Sequence, residues 1–468
     1  MKLNLLRSPR LAIALFAGFT PLSANPAASN FGYTQISSLE ELREAARKDD
    51  QKIRMAPGSY VLTETEPENK IVFEFSGSNN TFDLTDVRIE LPTEVLRDMA
   101  KTPVHGIKAY YVTGDDLTFK GGHFEDIGDH PPRISVPAFT ITGNDVSFTG
   151  SMFIVRGSSP YGVGDMLGKG RGSAVRLQKH SAMSILGDRT LLDDCKFRIH
   201  TYGHGIHIHG SQDTHLRDVL VMGDQRKTDD IYNSKDPFMA QFDYKIQYPD
   251  WLKGQPIPKG QMIGLTEDGI RAYTDGADKD GNTRCTGHIT VERCGVNGMR
   301  GGITLALASS ATVTDSFAIN CSHAFSLPSN STVKNCKGNA AFGPLLTMPY
   351  AHKGNSEIEI ELYDTKDKIG DHPLALITGS GHKITITSKD EVSQENLRPI
   401  ILGSTGSRYT EATSSAEELE KRNKANEIIL TNLTMHPVQP GPYSSSCKIK
   451  SKGEVFADEG RGNKIKNL

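Results

Sequence analysis

The chain has 468 residues, and its 53 basic residues almost balance its 56 acidic ones, which leaves a formal net charge of −3. A protein with this balance has no global field that would attract nucleic acid or an anionic membrane surface, so we expect neither as a partner. After Asn25 the sequence has no apolar run long enough to cross a bilayer, which argues against a membrane span in the folded part of the chain.

Residues 1–25 have the layout of a secretory signal. Lys2, Arg7 and Arg10 precede an apolar stretch at 11–19, and small residues follow within 23–28. The apolar stretch is too short to cross a bilayer by itself, whereas a basic start, a short apolar run and small residues are typical of a cleaved export signal. We therefore predict a secreted or periplasmic protein.

The folded part should begin with a short helix. Ser38-Leu-Glu-Glu41 has the spacing of a capping box, which predicts a helix through about Lys48. The segment 53–62 that follows has the pattern of strand, turn and strand. Such a helix would close the open end of a stack of repeats, so we expect one domain over residues 30–468.

Four segments repeat one short pattern, an apolar residue, two polar residues and a small residue. They are Leu192-Asp-Asp-Cys195, Val291-Glu-Arg-Cys294, Val313-Thr-Asp-Ser316 and Val333-Lys-Asn-Cys336. The last three follow one another at nearly equal intervals, each the length of a unit that must stack on its neighbours to bury its apolar side. We predict an all-β fold, a single-domain right-handed parallel β-helix with an N-terminal capping helix and long surface loops.

A second recurring element is a glycine or alanine followed by alternating apolar and polar residues. It occurs at Gly205-Ile-His-Ile-His209, Gly269-Ile-Arg-Ala-Tyr273, Gly302-Ile-Thr-Leu-Ala306 and Ala324-Phe-Ser-Leu-Pro328. Alternation of period two is typical of strands with one buried face. If the apolar residues point inward, then His207, His209, Arg271 and Tyr273 point outward on one exterior surface, although they come from distant parts of the chain.

The six cysteines of an exported chain raise the question of disulfides. Cys195, Cys294 and Cys336 occupy the same repeat position, which predicts that they stack as small buried side chains inside the coil. Bridges between Cys285 and Cys294, or between Cys321 and Cys336, stay open as the alternative.

The densest set of cationic and titratable side chains at predicted outward positions lies between residues 200 and 300. The set comprises His204, His207, His209, Arg226, Lys227, Arg271, Tyr273 and Arg300. Lys227 follows His207 by one repeat length, so we predict that it occupies the next coil on the same face.

A long insert, at about 232–264, interrupts the repeats after Lys227. It holds the only tryptophan, Trp251, together with Phe238, Phe242, Tyr244 and Tyr248. Aromatic side chains beside a polar face can form one wall of a groove and stack against sugar rings. The alternative is that these aromatic residues only pack the loop onto the helix.

Four motifs follow one another in this part of the chain. They are Gly203-His-Gly-Ile-His207, Arg226-Lys-Thr-Asp-Asp230, Glu267-Asp-Gly-Ile-Arg-Ala-Tyr273 and Met299-Arg-Gly-Gly-Ile303. In this succession the chain resembles the parallel β-helix polysaccharide lyases, most of all the alginate lyases of polysaccharide lyase family 31, and more distantly the chondroitinase B group of family 6. The resemblance implies β-elimination on a uronic-acid polymer such as alginate, with Lys227 as base and Arg271 as its partner.

The residue types suit that reaction. Elimination removes the C5 proton of a uronate, which is only weakly acidic unless a cation such as Arg271 neutralises the adjacent carboxylate. Lys227 can act as base only if neighbouring cations lower its pKa from about 10.4. Tyr273 or His207 would protonate the departing oxygen. The expected substrate-binding residues are His204, His209, Arg226, Arg300 and Trp251.

A calcium ion is a further implication of the resemblance, because the relatives of chondroitinase B hold one near the lysine. Asp229, Asp230, Glu267 and Asp268 are the acidic residues that would supply its ligands. Their positions do not match that calcium site, so the metal dependence stays open.

Other interpretations stay open as well. Arg226 and Lys227 adjoin Asp229 and Asp230, so all four could form an ion-paired turn. A uronan C5-epimerase would abstract the same proton, and a pectin-type hydrolase shares the fold, although its Gly-His-Gly and Asp-Asp motifs come in the opposite order. A non-catalytic solenoid could bind glycan at the same surface. In each case we expect an anionic polysaccharide as partner and a monomeric protein.

Overall fold

The structure is a computed structural model that describes residues 32–63, 70–99, 106–130, 135–169, 172–245, 254–277, 280–339, 343–350, 352–363, 372–389, 392–403 and 416–468. The predicted export signal, Tyr248 and Trp251 lie outside these residues. Within the described ranges, no helix has both the length and the apolar character that crossing a membrane requires.

Two long sheets of parallel strands wind around one core, so the chain forms a parallel β-helix, as predicted. Sheet A has 21 strands among the described residues. They are Thr34–Ile36, Lys52–Met55, Gly58–Val61, Thr81–Pro92, Thr118–Ile127, Ser147–Thr149, Met152–Arg156, Leu191–Asp193, Lys196–His200, Thr214–Arg217, Leu220–Met222, His288–Glu292, Gly295–Asn297, Ser310–Thr314, Phe317–Ile319, Thr332–Gly338, Glu357–Leu362, Lys383–Ser388, Ile429–Leu433, Lys448–Ser451 and Lys464–Asn467.

Sheet B has 12 strands among the described residues. They are Ile71–Phe75, Lys108–Val112, Val136–Ile141, His180–Ile185, Ile206–Ile208, Asp268–Ala272, Gly301–Thr304, His323–Ser326, Leu346–Met348, Ala375–Ile377, Ile400–Leu402 and Val438–Pro440. Shorter strands lie at Gly168–Lys169, Gly172–Ser173, Gln225–Lys227, Met262–Gly264, Asp275–Ala277, Thr283–Cys285, Gly379–Ser380, Ala425–Asn426 and Ser444–Ser445. The α-helices are Leu39–Ala46, Thr93–Met99, Thr228–Tyr232 and Ala416–Asn423, and 3-10 turns lie at Gly164–Leu167, Met239–Gln241 and Gln394–Asn396.

The core consists of the inward side chains of successive coils, stacked in register. Leu192 pairs with Leu216, Leu216 with Val291, and Val291 with Val313, and all of them are buried. The alternation in the sequence therefore predicted the buried face correctly. The N-terminal coils are filled with stacked phenylalanine rings, such as Phe119 on Phe148 with their centroids 4.3 Å apart.

Glycines stand at the start of two successive strands of sheet B because a side chain there would collide with sheet A. A Cβ atom on Gly205 would lie 2.6 Å from a methyl group of Val221 in sheet A. The same atom on Gly269 would lie 2.4 Å from Val296. The core is thus closed tightly at the point where these two strands begin.

The predicted capping helix is confirmed. It spans Leu39–Ala46, and Ser38 and Glu41 form the capping box. Leu42, Ala45 and Ala46 are buried in the core at the N-terminal end of the coil. The helix therefore covers apolar residues of the first coils, as a terminal repeat must.

The predicted stacking of the cysteines is confirmed as well. All six cysteines lie among the described residues, and all six are free. Cys195, Cys294 and Cys336 are fully buried, and burial raises the pKa of each thiol. The two alternative disulfides are not formed.

The prediction that Lys227 occupies the next coil after His207 is wrong. Gln225–Lys227 pairs antiparallel with Met262–Gly264 and forms a hairpin outside sheet B. The strand that follows Ile206–Ile208 in sheet B is Asp268–Ala272. The chain leaves the coil before Lys227 because the helix Thr228–Tyr232 buries Ile231 in a separate apolar cluster.

This separate cluster, which we call the satellite core, holds the insert against the loop before it. Its buried members are Val163, Met166, Leu167, Ile231 and Tyr244, and Tyr232 and Phe242 pack against them. Three of the insert's aromatic residues therefore pack the loop, which was the alternative interpretation. Phe238 is 39% exposed and remains available at the surface.

Candidate active site

Adjacent strands of sheet B bring four of the predicted residues together. His207 and Arg271 are direct neighbours in register on Ile206–Ile208 and Asp268–Ala272. Just beyond these strands, the rings of His209 and Tyr273 stack with their centroids 4.3 Å apart and an angle of 7° between them. The site is therefore built by two coils that are separated in sequence by the whole insert.

His204 uses both of its ring nitrogens. Its Nδ1 accepts a 3.1 Å hydrogen bond from the backbone N–H of Asp268 and so carries no hydrogen. Burial lowers the pKa of His204, which leaves the ring neutral with its hydrogen on Nε2. Nε2 lies 2.8 Å from the Tyr273 hydroxyl and donates to it. The hydrogen of Tyr273 must then point away from His204, where a substrate atom can accept it.

A second chain of hydrogen bonds sets the state of His207. His209 Nε2 contacts His207, so we assign the hydrogen bond from His209 to the Asp275 backbone to Nδ1, which leaves Nε2 as an acceptor. His207 Nδ1 lies 2.7 Å from that atom and donates to it. His207 Nε2 then carries a lone pair, and it has no hydrogen-bond partner in the described part of the chain.

The pKa values of His207 and Tyr273 keep both groups in these states. Burial, reinforced by the neighbouring His204 and His209, lowers the pKa of His207 well below its ordinary value. Burial also raises the pKa of Tyr273 to about 12. At neutral pH the site therefore contains an unprotonated imidazole and a protonated phenol.

Arg271 is the most available cation of the site. Its side chain is 25% exposed, and its Nη1 makes only a long contact of 3.5 Å with Asp268. Its Nε has no hydrogen-bond partner among the residues described. The guanidinium carbon lies 5.3 Å from the centre of the Tyr273 ring. Because a guanidinium has five donors, Arg271 can bind an anion beside Tyr273.

Arg300, which we expected to bind substrate, is held inside the protein. Its side chain is only 14% exposed and contacts Asp268 at 3.0 Å, Asp165 at 3.2 Å and Glu267 at 3.4 Å. Asp165 belongs to the turn Gly164–Leu167. Arg300 therefore links this turn to sheet B. Its guanidinium is engaged by three carboxylates and is not free to bind substrate, contrary to the prediction.

The two buried carboxylates of the site are ionised. Burial alone would raise the pKa of Glu267, but Arg300 and Lys179, the latter at 2.5 Å, hold it below its usual range. In Asp268 the Arg300 guanidinium likewise outweighs burial and holds the pKa far below its usual range. Glycoside hydrolysis needs one protonated carboxyl group, and neither residue is one.

The same ion pairs bear on calcium. Glu267 and Asp268 are already neutralised by cationic side chains, and Asp229 accepts a 2.6 Å hydrogen bond from the backbone N–H of Gly260. In the described ranges, no group of three or more His, Cys, Asp or Glu side chains is arranged to hold a metal ion. The four acidic residues thus do not fit a calcium site.

Arg226 and Lys227 are not on the two strands of sheet B that carry His207 and Arg271. Arg226 donates to the backbone carbonyls of Gly162 at 3.2 Å and of Asp230 at 3.0 Å, so it holds the insert in place. The side chain of Lys227 is exposed and makes no hydrogen bond or ion pair within the described ranges. The prediction that Trp251 binds substrate falls outside the described residues.

Comparison with known proteins gives no family for the chain. No protein-family model matches it, and no curated protein does.

Solved structures with a similar coil do exist. A PL6 alginate lyase in complex with a trisaccharide has 13% sequence identity and a TM-score of 0.44, over 93% of this chain and 85% of that one. The A-module of the mannuronan C-5 epimerase AlgE6 from Azotobacter vinelandii has 10% identity and a TM-score of 0.38, over 91% and 93%. An endo-xylogalacturonan hydrolase from Aspergillus tubingensis has 10% identity and a TM-score of 0.36, over 92% and 88%.

The sequence did not predict the residues that hold the acidic side chains beneath the site in place. Lys179 pairs with Glu267, and Tyr202 donates to Asp165 at 2.5 Å. The interactions join residues that are 88 and 37 positions apart. The acidic pair Glu267-Asp268 before a glycine-led strand was the one signal in the sequence, because buried carboxylates need cationic partners.

Proposed function

We propose that this protein is a polysaccharide lyase that cleaves a uronic-acid-containing polymer by β-elimination, with alginate as the first substrate to test. One observation carries the proposal. On two adjacent coils, an unpartnered neutral nitrogen of His207 and a phenol of Tyr273 whose hydrogen faces away from His204 meet a partly exposed guanidinium of Arg271. The resemblance of the four motifs to family 31 points to the same chemistry.

Arg271 would bind the carboxylate of the uronate. Neutralising that charge makes the C5 proton more acidic and stabilises the enolate-like intermediate that follows its removal. A preorganised donor of this kind typically contributes about 3 to 4 kcal/mol to the transition state.

His207 would act as the base. Burial keeps the imidazole unprotonated at neutral pH, so Nε2 has a lone pair with which to accept the C5 proton. Nε2 is covered in the unliganded protein. The proposal therefore requires the sugar to displace neighbouring side chains as it binds beside Arg271.

Tyr273 would act as the acid. His207 Nε2 takes the C5 proton, the electron pair of the C5–H bond becomes the C4=C5 double bond, and the C4–O bond breaks. Tyr273 gives its hydrogen to the departing oxygen while His204 Nε2–H stabilises the phenolate. Return of the proton from His207 to Tyr273 restores both residues.

The base is the point at which geometry and resemblance differ. The resemblance assigned it to Lys227, but Lys227 lies on a strand pair outside sheet B and not on the coil next to His207. We therefore expect His207→Gln to abolish turnover and Lys227→Gln to retain most of it. The reverse result would restore Lys227 as the base.

The test of the function is the ultraviolet absorbance of an unsaturated uronate. Purified protein is mixed with alginate, polymannuronate, polyguluronate and polygalacturonate, and the absorbance is followed over time. A lyase raises it, whereas a hydrolase, an epimerase and a binding protein do not. Arg271→Ala should abolish the signal, and Arg293→Ala, which removes an arginine paired with Asp218 on sheet A, should not. No absorbance change with any uronan would overturn the proposal.

We also propose that the protein is exported. The support is the basic and apolar layout of residues 1–25. N-terminal sequencing of the protein recovered from the medium or the periplasm would test this, and retention of the first residues in the cytoplasm would contradict it.

A further inference from the structure

The last two coils of sheet A present a square of four lysines. Lys448 lies opposite Lys464, and Lys450 lies opposite Lys466, in parallel register. Ile449 lies between Lys448 and Lys450 on one strand and is buried, so these two lysines point outward. All four lysines are exposed. We call these four residues the lysine grid.

The grid departs from the way sheet A arranges charges elsewhere. On other coils, outward cations meet carboxylates of neighbouring strands, as in Arg54 with Asp83 at 2.9 Å and Arg217 with Asp193 at 2.6 Å. Like charges directly opposite each other on a sheet are destabilising. None of the four lysines forms an ion pair with another described residue. The repulsion between the four lysines would be relieved if an anion bound to them and neutralised their charge.

The surface beside the grid is suited to a sugar chain. The columns of the grid continue along sheet A into Ile429 and Thr431, which lie opposite Lys448 and Lys450. These residues line a shallow depression of about 240 Å³ together with Thr385, Lys383, Lys334, Glu357 and Glu359. Neighbouring strands are about 4.8 Å apart, so Lys466, Lys450, Thr431 and Thr385 form one column of lysines and hydroxyl groups, and the carboxylates of Glu357 and Glu359 lie at the end of the face farthest from the grid.

We propose that the lysine grid is a second binding surface, separate from the active site, for a linear polysaccharide that carries carboxylates. The inference rests on the proposed function, because it takes the bound polysaccharide to be the same polymer that is cleaved on sheet B. The surface would hold a distant segment of the chain and keep the enzyme on its polymer between cleavages.

A nucleic acid fits this surface less well. Single strands bind on aromatic side chains that stack with the bases. The five strands that form the face, Glu357–Leu362, Lys383–Ser388, Ile429–Leu433, Lys448–Ser451 and Lys464–Asn467, contain no aromatic residue. A duplex is usually held by about 6 to 10 phosphate contacts, more than four lysines supply.

The test compares two fourfold variants. In the first, Lys448, Lys450, Lys464 and Lys466 are all changed to glutamine. The matched control changes Lys48, Lys52, Lys120 and Lys196 to glutamine, which removes the same charge from lysines that precede the five strands of the face by many coils. Both sets are made with and without Tyr273→Phe, so that binding can be measured on a polymer that is not being degraded.

Affinity for long-chain alginate and polygalacturonate is measured at several salt concentrations. We expect the grid variant to bind about tenfold more weakly at low ionic strength and with a smaller salt dependence, while the control binds as the parent does. Turnover of short oligosaccharides should be unchanged in the grid variant. Because affinity is measured independently of turnover, failure of the lyase activity and failure of the grid are separate results.

Two outcomes would overturn the inference. The first is equal polymer affinity in the grid variant and the control. The second is tighter, grid-dependent binding to single-stranded DNA or to vesicles of phosphatidylglycerol than to either uronan, which would assign the surface to another class of partner.

Discussion

His204 makes two hydrogen bonds, one to the backbone of Asp268 and one to Tyr273, and different substitutions can remove them separately. Its Nδ1 accepts from the Asp268 backbone, and its Nε2 donates to Tyr273. In His204→Asn, the amide oxygen reaches the Nδ1 position and keeps the bond to Asp268, but nothing reaches Tyr273. In His204→Gln, the amide nitrogen reaches the Nε2 position and donates to Tyr273, but the Asp268 N–H loses its acceptor.

The two variants should therefore fail in different measurements. A hydrogen bond to an ionised partner contributes about 1.5 to 3 kcal/mol, so loss of the donor to the Tyr273 phenolate should lower kcat roughly 10- to 150-fold in His204→Asn. A buried N–H without a partner costs about 1 to 3 kcal/mol. His204→Gln should lose that much free energy of unfolding and retain most of its activity.

The assay combines initial rates of product absorbance with urea unfolding of the same preparations. In His204→Asn we expect kcat to fall while KM and the unfolding midpoint stay close to the parent values, because His204 acts through Tyr273. Full activity in His204→Asn would refute the assignment of the Tyr273 hydrogen. So would equal losses of rate and of stability in both variants, since a purely structural histidine would produce them.

Three further outcomes follow from the described geometry. Because His207 must be unprotonated and Tyr273 protonated, kcat/KM should stay level through neutral and mildly alkaline pH. It should fall on the acid side only below pH 6.5 and on the alkaline side only toward about pH 12. A fall of kcat/KM that begins above pH 7 on the acid side would contradict the assigned state of His207. Arg300→Met leaves Asp268 without its main cation and Glu267 with Lys179 alone of its two ion-pair partners, and it should cost about 3 to 5 kcal/mol in urea unfolding. A cost below about 1 kcal/mol would show that the network is dispensable. His180 is buried with both nitrogens on acceptors, the Val136 carbonyl and Asp126; burial would lower its pKa, but Asp126 raises it. The stability that protonated His180 contributes should be fully present below the unfolded pKa of about 6.5 and be lost as pH rises through the higher folded value. The difference in free energy of unfolding between the parent and His180→Gln, measured by urea unfolding, should therefore shrink as pH rises through this range. A constant difference would contradict the charged state of His180.

The coil was predictable because its physics is local. Alternation of apolar and polar residues identified the inward face at Ile206, Ile208 and Ile270, and the repeated small residue identified the stack that contains Cys195 and Cys294. Each of these inferences needs only a few neighbouring residues and the rule that a strand presents alternate side chains to opposite faces.

The site was predictable only in part. His207 and Arg271 were placed on one face correctly, but Lys227 was assigned to the next coil by counting residues, and counting cannot detect that Gln225–Lys227 pairs with a strand beyond the insert. Arg300 looked available because nothing near it in sequence shows the carboxylate of Asp165, which is 135 residues away. Long-range electrostatic partners leave no periodic signal.

The satellite core makes the insert a modular part of the protein. The insert buries Ile231 and Tyr244 with Met166 of the preceding loop, apart from the apolar residues inside the coil. A different loop of similar length could therefore be grafted between Asp224 and Leu265 without repacking the solenoid, provided that it brought its own apolar anchors. The insert of such a scaffold can be redesigned, or can diverge in evolution, while the coils keep their stability.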